Sequence, residues 1–192
     1  MVAPARRPPT FEDLLARSDA DRLEIIAGEI VEKAAPSPGH SFAQVKLAAA
    51  VDPFNRRPGS RGPGGWWLFI NIHVGYPRGE FYCHDAAGWR RDRVPERPTT
   101  WPMRIRPDWV CEIVSPKHER NDLVVKPRVL HGAEVPHYWI LDPDEKILLV
   151  HRWSTDGYTV VQRAAAGETV RAEPFDAIEL RVGVLFGDDE ED

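Results

Sequence analysis

The chain has 192 residues, 42% hydrophobic and 29% charged, a balance that suits one soluble globular domain and argues against wholesale disorder. The formal charge is −5, but five of the 30 acids lie in the tail from Asp188 to Asp192, so the body carries 25 residues of each sign and overall charge does not point to nucleic acid. No apolar run is long enough to span a bilayer, Pro4, Pro8 and Pro9 replace a signal-peptide core, and Cys83 and Cys111 lie in apolar runs as reduced thiols do; a cytoplasmic protein without a membrane partner is expected.

In chain order, residues 1–9 read as a flexible arm, 10–187 as one domain and 188–192 as a disordered acidic tail. Thr10 is placed to cap a short helix from Phe11 to Arg17, with Asp13 at the capping-box position. Leu23 to Ile26 and Glu29 to Glu32 form a hairpin pattern about Ala27-Gly28. After the breaker Pro36-Ser37-Pro38-Gly39, a helix is predicted from His40 to about Asn55 with Phe42, Val45 and Ala49 inward, ended or kinked by Pro53. Trp66 to Val74 is the clearest strand; regular alternation puts Leu68, Ile70, Ile72 and Val74 on one face. Glu80 to Asp85 is a second strand paired with it.

Arg106 to Pro116 encloses a third strand, in which Trp109, Cys111 and Ile113 share one face and Asp108, Val110, Glu112 and Val114 the other. Glu112 is the anomaly, because a carboxylate inside a buried strand is costly unless it is paired, protonated or bound to a cation. It either marks a site or pairs with a nearby arginine to hold the fold. Six arginines between Trp89 and Arg106 face only Asp92 and Glu96, a patch that suits phosphate or a solvated surface. Beyond a polar loop from Ser115 to Arg120, Asn121 or Asp122 caps a helix running to His131. In it, Pro127 either occupies the first turn of a helix starting at Lys126 or kinks a longer one. Three strands follow, at His137 to Leu141, Ile147 to Trp153 and Tyr158 to Gln162, and residues 173–187 close the domain as a strand or short helix. The element order predicts an α/β fold, a mixed sheet flanked by helices.

Asp85, Glu112, Asp122 and Lys126 are the charged groups that stand out. Two carboxylates with an ammonium suit metal-assisted hydrolysis, since hard oxygen ligands hold Mg2+ or Mn2+ while a lysine orients water or offsets phosphoryl charge. From spacing alone, a scattered carboxylate pair is structural more often than catalytic. Zinc, with Cys83, His84 and Cys111, lacks any Cys-x-x-Cys pair, and Ser115 lacks a Gly-x-Ser-x-Gly elbow.

The order His84-Asp85, then Pro107-Asp108-Trp109-Val110-Cys111-Glu112-Ile113-Val114-Ser115-Pro116, Asp122, Lys126 and Val135-Pro136-His137-Tyr138-Trp139-Ile140-Leu141-Asp142-Pro143 resembles the Uma-two endonuclease family of the PD-(D/E)XK superfamily. The resemblance implies a restriction-endonuclease-like core acting on nucleic acid, DNA ahead of RNA, with a homodimer as an option. It makes Asp85 and Glu112 metal ligands for Mg2+ (or Mn2+) and Lys126 the residue positioning water. Glu24, Asp122 and His84 become candidate outer-shell groups, and Arg90, Arg91 and Arg93 candidate phosphate contacts. The chain departs from the family pattern with His84 for proline, Pro127 directly after Lys126, and Leu130 for a tyrosine. Two functions therefore stand side by side: a metal-dependent endonuclease, and a catalytically degenerate relative that binds nucleic acid or protein.

Overall fold

A computed structural model describes residues 7–59, 61–115 and 120–189. Most of the expected polar loop, at 116–119, lies outside the described residues, as do 1–6 of the arm and 190–192 of the tail. The described ends are tied down: the Arg7 guanidinium lies 2.8 Å from the Asp13 carboxylate, and Asp188 N–H donates to the Gly183 carbonyl at 3.0 Å.

The elements are α1 (Phe11–Leu15), β1 (Leu23–Ile26), β2 (Glu29–Glu32), α2 (Pro38–Val51), β3 (Trp66–Gly75), β4 (Phe81–Arg90), β5 (Trp109–Ile113), α3 (Lys126–Gly132), β6 (His137–Asp142), β7 (Ile147–Ser154), β8 (Gly157–Ala165), β9 (Thr169–Val170) and β10 (Leu180–Arg181). Eight strands form one mixed sheet in the order β2-β1-β4-β5-β6-β7-β8, with β3 also on β4; β9 and β10 pair separately. Only β5 and β6 run parallel, joined by a crossover that contains α3.

Several local expectations hold. Thr10 and Asp13 make the capping box of α1, which stops at Leu15, two residues short of Arg17. Ala27 and Gly28 take φ values of 53° and 78°, the left-handed pair that a two-residue hairpin turn requires. Ser37 caps α2 by accepting from His40 N–H, and Pro38 sits in its first turn. A π-helical turn, Asn121–Val125, runs into α3, which starts at Lys126 and so keeps Pro127 in its first turn.

Two face assignments are corrected. In α2 the buried residues are His40, Ala43, Leu47 and Val51, whereas Phe42 and Val45 are 43% and 68% exposed and Ala49 is exposed as well. Apolar side chains lie on both sides of this helix, so hydrophobicity alone does not choose its inner face. In β3 the alternation breaks at Asn71, where φ is 49°. Leu68 packs into one core, while Ile72 and Val74 pack into the other.

The sheet divides those two cores. One gathers Ala43, Leu47 and Val51 of α2 with Trp109, Cys111, Ile113, Trp139 and the C-terminal Leu185. The other gathers Val110, Val114, Tyr138, Ile140, Trp89 and Leu130 of α3. The alternation read for β5 is the one observed. Each fully buried large side chain contributes roughly 1.5–3 kcal/mol relative to exposure, so a strand committed to both cores is hard to shift in register.

Candidate active site

The site sits at a fork in the sheet. While β3 lines one edge of β4 along its length, the other edge is shared: β1 meets it only at Ile25–Phe81, and β5 meets it at Ala86, Ala87 and Gly88. Between those contacts the backbone of β4 has no strand partner, and buried peptide groups must be satisfied in another way. Polar side chains replace the missing strand. Cys83 N–H donates to Glu24 Oε1 at 2.8 Å, and the Cys83 carbonyl accepts from Lys33 Nζ at 2.5 Å. The Asp85 carbonyl accepts from Gln44 Nε2 at 3.0 Å.

Asp85, 1% exposed, is held on three sides: Oδ1 by Lys33 Nζ at 2.7 Å and His40 Nε2 at 3.2 Å, and Oδ2 by Ile113 N–H at 2.7 Å. His40 Nδ1 in turn lies 3.0 Å from Ser115 Oγ. Glu112, also 1% exposed, receives His84 Nδ1 at 2.5 Å and Lys126 Nζ at 3.2 Å, both on Oε1. While Glu112 is ionised it only accepts, so His84 Nδ1 then carries the proton and Nε2 accepts from the Tyr76 hydroxyl at 2.6 Å. Lys126, 2% exposed, is also 3.1 Å from Glu24 and 3.0 Å from Asp122. Its place as the first residue of α3 brings its ammonium among these three acids.

Glu24, Lys33, Asp85, Glu112, Asp122 and Lys126 line one cleft, whose water-accessible volume is about 20 Å³, room for one water or ion. Four buried acids face two ammonium groups, and the titrations reflect that excess. Burial raises Glu112 to about 7 and Asp122 to about 6, despite the opposing pull of Lys126. Burial also acts upward on Asp85 and Glu24 and is the largest single influence on each, but Lys33 with His40 at Asp85, and Lys126 with Lys33 and the Cys83 N–H at Glu24, together outweigh it and hold both below the usual carboxylate range. Lys126 and Lys33 would be lowered by burial, yet the acids around them hold both above the ordinary lysine value. Burial, with Lys126 beside it, keeps His84 neutral.

The cleft thus joins Asp85, Glu112, Lys126, Glu24 and Asp122 of the groups singled out in the sequence, while His84 lies behind it, fully buried against Glu112. Arg90, Arg91 and Arg93 are elsewhere. Arg90 pairs with Asp92 at 2.5 Å, Arg91 lies over the Trp67 ring, Arg93 pairs with Asp108 at 2.8 Å, and none of the three lines the cleft. Reasoning from sequence missed Lys33, His40, Gln44 and Ser115. A lysine closing a hairpin and a histidine in a first helical turn are ordinary surface choices, and only the fork brings them to Asp85.

Among the described residues, no group of three or more His, Cys, Asp or Glu side chains is gathered for a metal; the acids are gathered around lysines. The donor chemistry nevertheless suits a hard divalent ion. Every acid here offers oxygen, and the four carboxylates outnumber the two ammonium groups among them.

An eight-stranded mixed sheet with helices packed on it and acids at the fork between strands is the restriction-endonuclease-like class of fold. A crystal structure described as that of "a putative nuclease belonging to DUF820" from Anabaena variabilis has this fold, with a TM-score of 0.73 at 20% identity over 93% of this chain and 98% of that one. The model of the Uma2 family, described as "Putative restriction endonuclease", matches residues 8–183, and the chain belongs to that family. No curated protein matches it. No helix among the described residues is long and apolar enough to cross a membrane.

Proposed function

We propose that this chain is a metal-dependent endonuclease that hydrolyses phosphodiester bonds of nucleic acid, DNA ahead of RNA, with Asp85 and Glu112 holding Mg2+ or Mn2+. One observation carries the reading: a carboxylate from β4 and one from β5 line the same cleft, in a buried cluster with two more acids than ammonium groups. The family's description as restriction endonucleases, and that of the Anabaena neighbour as a nuclease, support it.

A bound divalent ion supplies an acidified water and offsets the charge that grows on the phosphoryl oxygens. The rest falls to the protein. Ile113 N–H and His40 fix Asp85, while Tyr76 through His84 fixes Oε1 of Glu112. Lys126, almost unexposed and within 3.2 Å of three acids, is the residue that would position the water. It also holds Glu24, Glu112 and Asp122 in one arrangement. Arg90, Arg91 and Arg93 lie at the far end of β4, roughly 17 Å along the strand from Asp85 at about 3.3 Å per residue, where they would meet flanking phosphates.

Plasmid nicking with Mg2+ or Mn2+ tests the reading. Wild type should nick the plasmid and Glu112→Ala should not. Equal residual nicking by both would mean contamination and would favour the non-catalytic module.

A further inference from the structure

Of the seven tryptophans, six are buried or half-buried and Trp101 alone is exposed, at 49%. A lone exposed apolar side chain is ordinary; this one is distinguished by how firmly it is held and where. Met103 N–H donates to the His73 carbonyl and Gly75 N–H to the Met103 carbonyl, both at 2.8 Å, so the chain is pinned to the edge of β3 two residues from the indole. The indole rests against Phe11 of α1, with ring centroids 5.2 Å apart at 65°, and against His73, 5.5 Å apart at 76°. Both neighbours meet it at steep angles, and among the described residues no ring lies flat on it. The two half-buried tryptophans are already covered: Arg91 lies 3.5 Å over the Trp67 ring, and His131 stacks on Trp153 at 20°.

We propose that Trp101 is a stacking platform for an unpaired nucleobase of the strand that enters the acidic cleft, with Arg104 beside it taking a phosphate. The proposal rests on the nucleic-acid part of the nuclease reading and extends it from the reacting phosphate to a flanking base. Its first support is position. Tyr82 and His84 pack together on one side of β4, so strand alternation turns Phe81, Cys83 and Asp85 to the other. His73 pairs with Cys83 in register, and its Nε2 lies 3.1 Å from the Leu23 carbonyl of β1, so its ring crosses β4 on the Asp85 side. Trp101 packs on that ring. With about 3.3 Å per residue along β4 and about 4.8 Å between strands, the indole stands roughly 10–15 Å from Asp85. A stacked strand covers that span in about three or four nucleotides.

The second support is the chemistry of the patch. The Arg104 guanidinium lies 5.3 Å from the Phe81 ring, Phe81 stacks on Phe11 at 4.7 Å, and Phe11 meets Trp101. Arg104 is exposed; its field reaches Glu12, but it makes no salt bridge among the described residues. An aromatic face for a base beside a cation for a phosphate is the pair that grips single strands without regard to sequence. The backbone pairing at Met103 holds the ring ready before the strand arrives.

The test is binding by fluorescence anisotropy, with Ca2+ in place of Mg2+ or Mn2+, of two labelled probes. One is an oligothymidylate of about eight nucleotides, the other an abasic deoxyribose-phosphate chain of the same length. The proteins are wild type, Trp101→Leu and Trp101→Met, which keep apolar cover on Phe11 without a ring, Trp101→Phe and Arg104→Gln. Wild type should prefer the base-bearing probe by at least about fivefold. The two ringless variants should lose that preference while binding the abasic chain as wild type does, and Trp101→Phe should keep part of it. Arg104→Gln should bind both probes more weakly, with the slope of log affinity on log salt reduced by about 0.7. On wild type itself, an iodouracil-bearing oligothymidylate should photocrosslink to Trp101, read by mass spectrometry. No base preference in wild type, an undiminished preference in a ringless variant, or crosslinks only elsewhere would overturn the platform. If wild type binds neither probe and does not nick plasmid, the nuclease reading falls and this proposal with it. If it nicks plasmid yet binds the two probes alike, the platform alone falls.

Discussion

Replacing Lys126 with Met keeps most of the apolar stem and removes the charge that three acids share. The ammonium lies 3.1, 3.2 and 3.0 Å from Glu24, Glu112 and Asp122, and the side chain is 2% exposed. Removing one partner of a buried ion pair costs roughly 3–5 kcal/mol, because the other partner is left uncompensated. The acids can escape part of that cost by taking protons. For a carboxyl of ordinary pKa this costs about 1.4 kcal/mol per pH unit above that value; for Glu112 and Asp122, already raised to about 7 and 6, it costs less. The variant should therefore lose about 3–5 kcal/mol at pH 7.5, and less at pH 5.5, where Glu112 and Asp122 are largely protonated with or without Lys126. Urea unfolding of both proteins at the two pH values measures this directly. A loss below about 1 kcal/mol at pH 7.5, or the same loss at both pH values, would refute the shared-cation account.

Three further outcomes follow from the same contacts. In metal-free protein, a Glu112 pKa raised to about 7 from 4.5 means its contribution is fully present below about pH 4.5 and lost as pH rises through 7. The stability of Glu112→Gln relative to wild type should thus rise by about 2–3 kcal/mol between pH 5 and 8; the difference cancels the histidines lowered by burial, whose effect runs the other way, and a flat difference would contradict the assignment. Tyr76→Phe removes the donor to His84 Nε2 and leaves a buried acceptor unpaired, a loss of about 1–3 kcal/mol by thermal or urea unfolding; an unchanged midpoint would remove Tyr76 from the chain of contacts to Glu112. On α2, Leu47→Ala should cost about 2–5 kcal/mol while Val45→Ser changes stability by no more than about 0.5 kcal/mol, and the reverse order would restore the helix face predicted from sequence.

Local pattern and tertiary arrangement separate cleanly in this chain. The hairpin about Ala27-Gly28, the capping box at Thr10 and the two-faced strand around Glu112 were legible because each depends on neighbours in sequence. Pro127 was legible as two alternatives, a first-turn position or a kink, and the first-turn position is the one found. The inner face of α2 was not, because Phe42 and Val45 compete with Ala43 and Leu47 and only packing against the sheet decides between them. β4 was read as ending at Asp85 yet runs to Arg90, its far half paired with both β3 and β5. Glu112 announced the site as a carboxylate in an apolar strand. Lys33 and His40 announced nothing, because their meaning lies in a fork between β1 and β5 that is built from segments far apart in the chain.

The most direct test is a crystal of the protein soaked in Mn2+, with data collected at a wavelength where manganese scatters anomalously. The account predicts one strong anomalous peak in the cleft, within ligand distance of both the Asp85 and Glu112 carboxylates. A cleft without a peak at high Mn2+ occupancy elsewhere, or a peak ligated by neither acid, would contradict it.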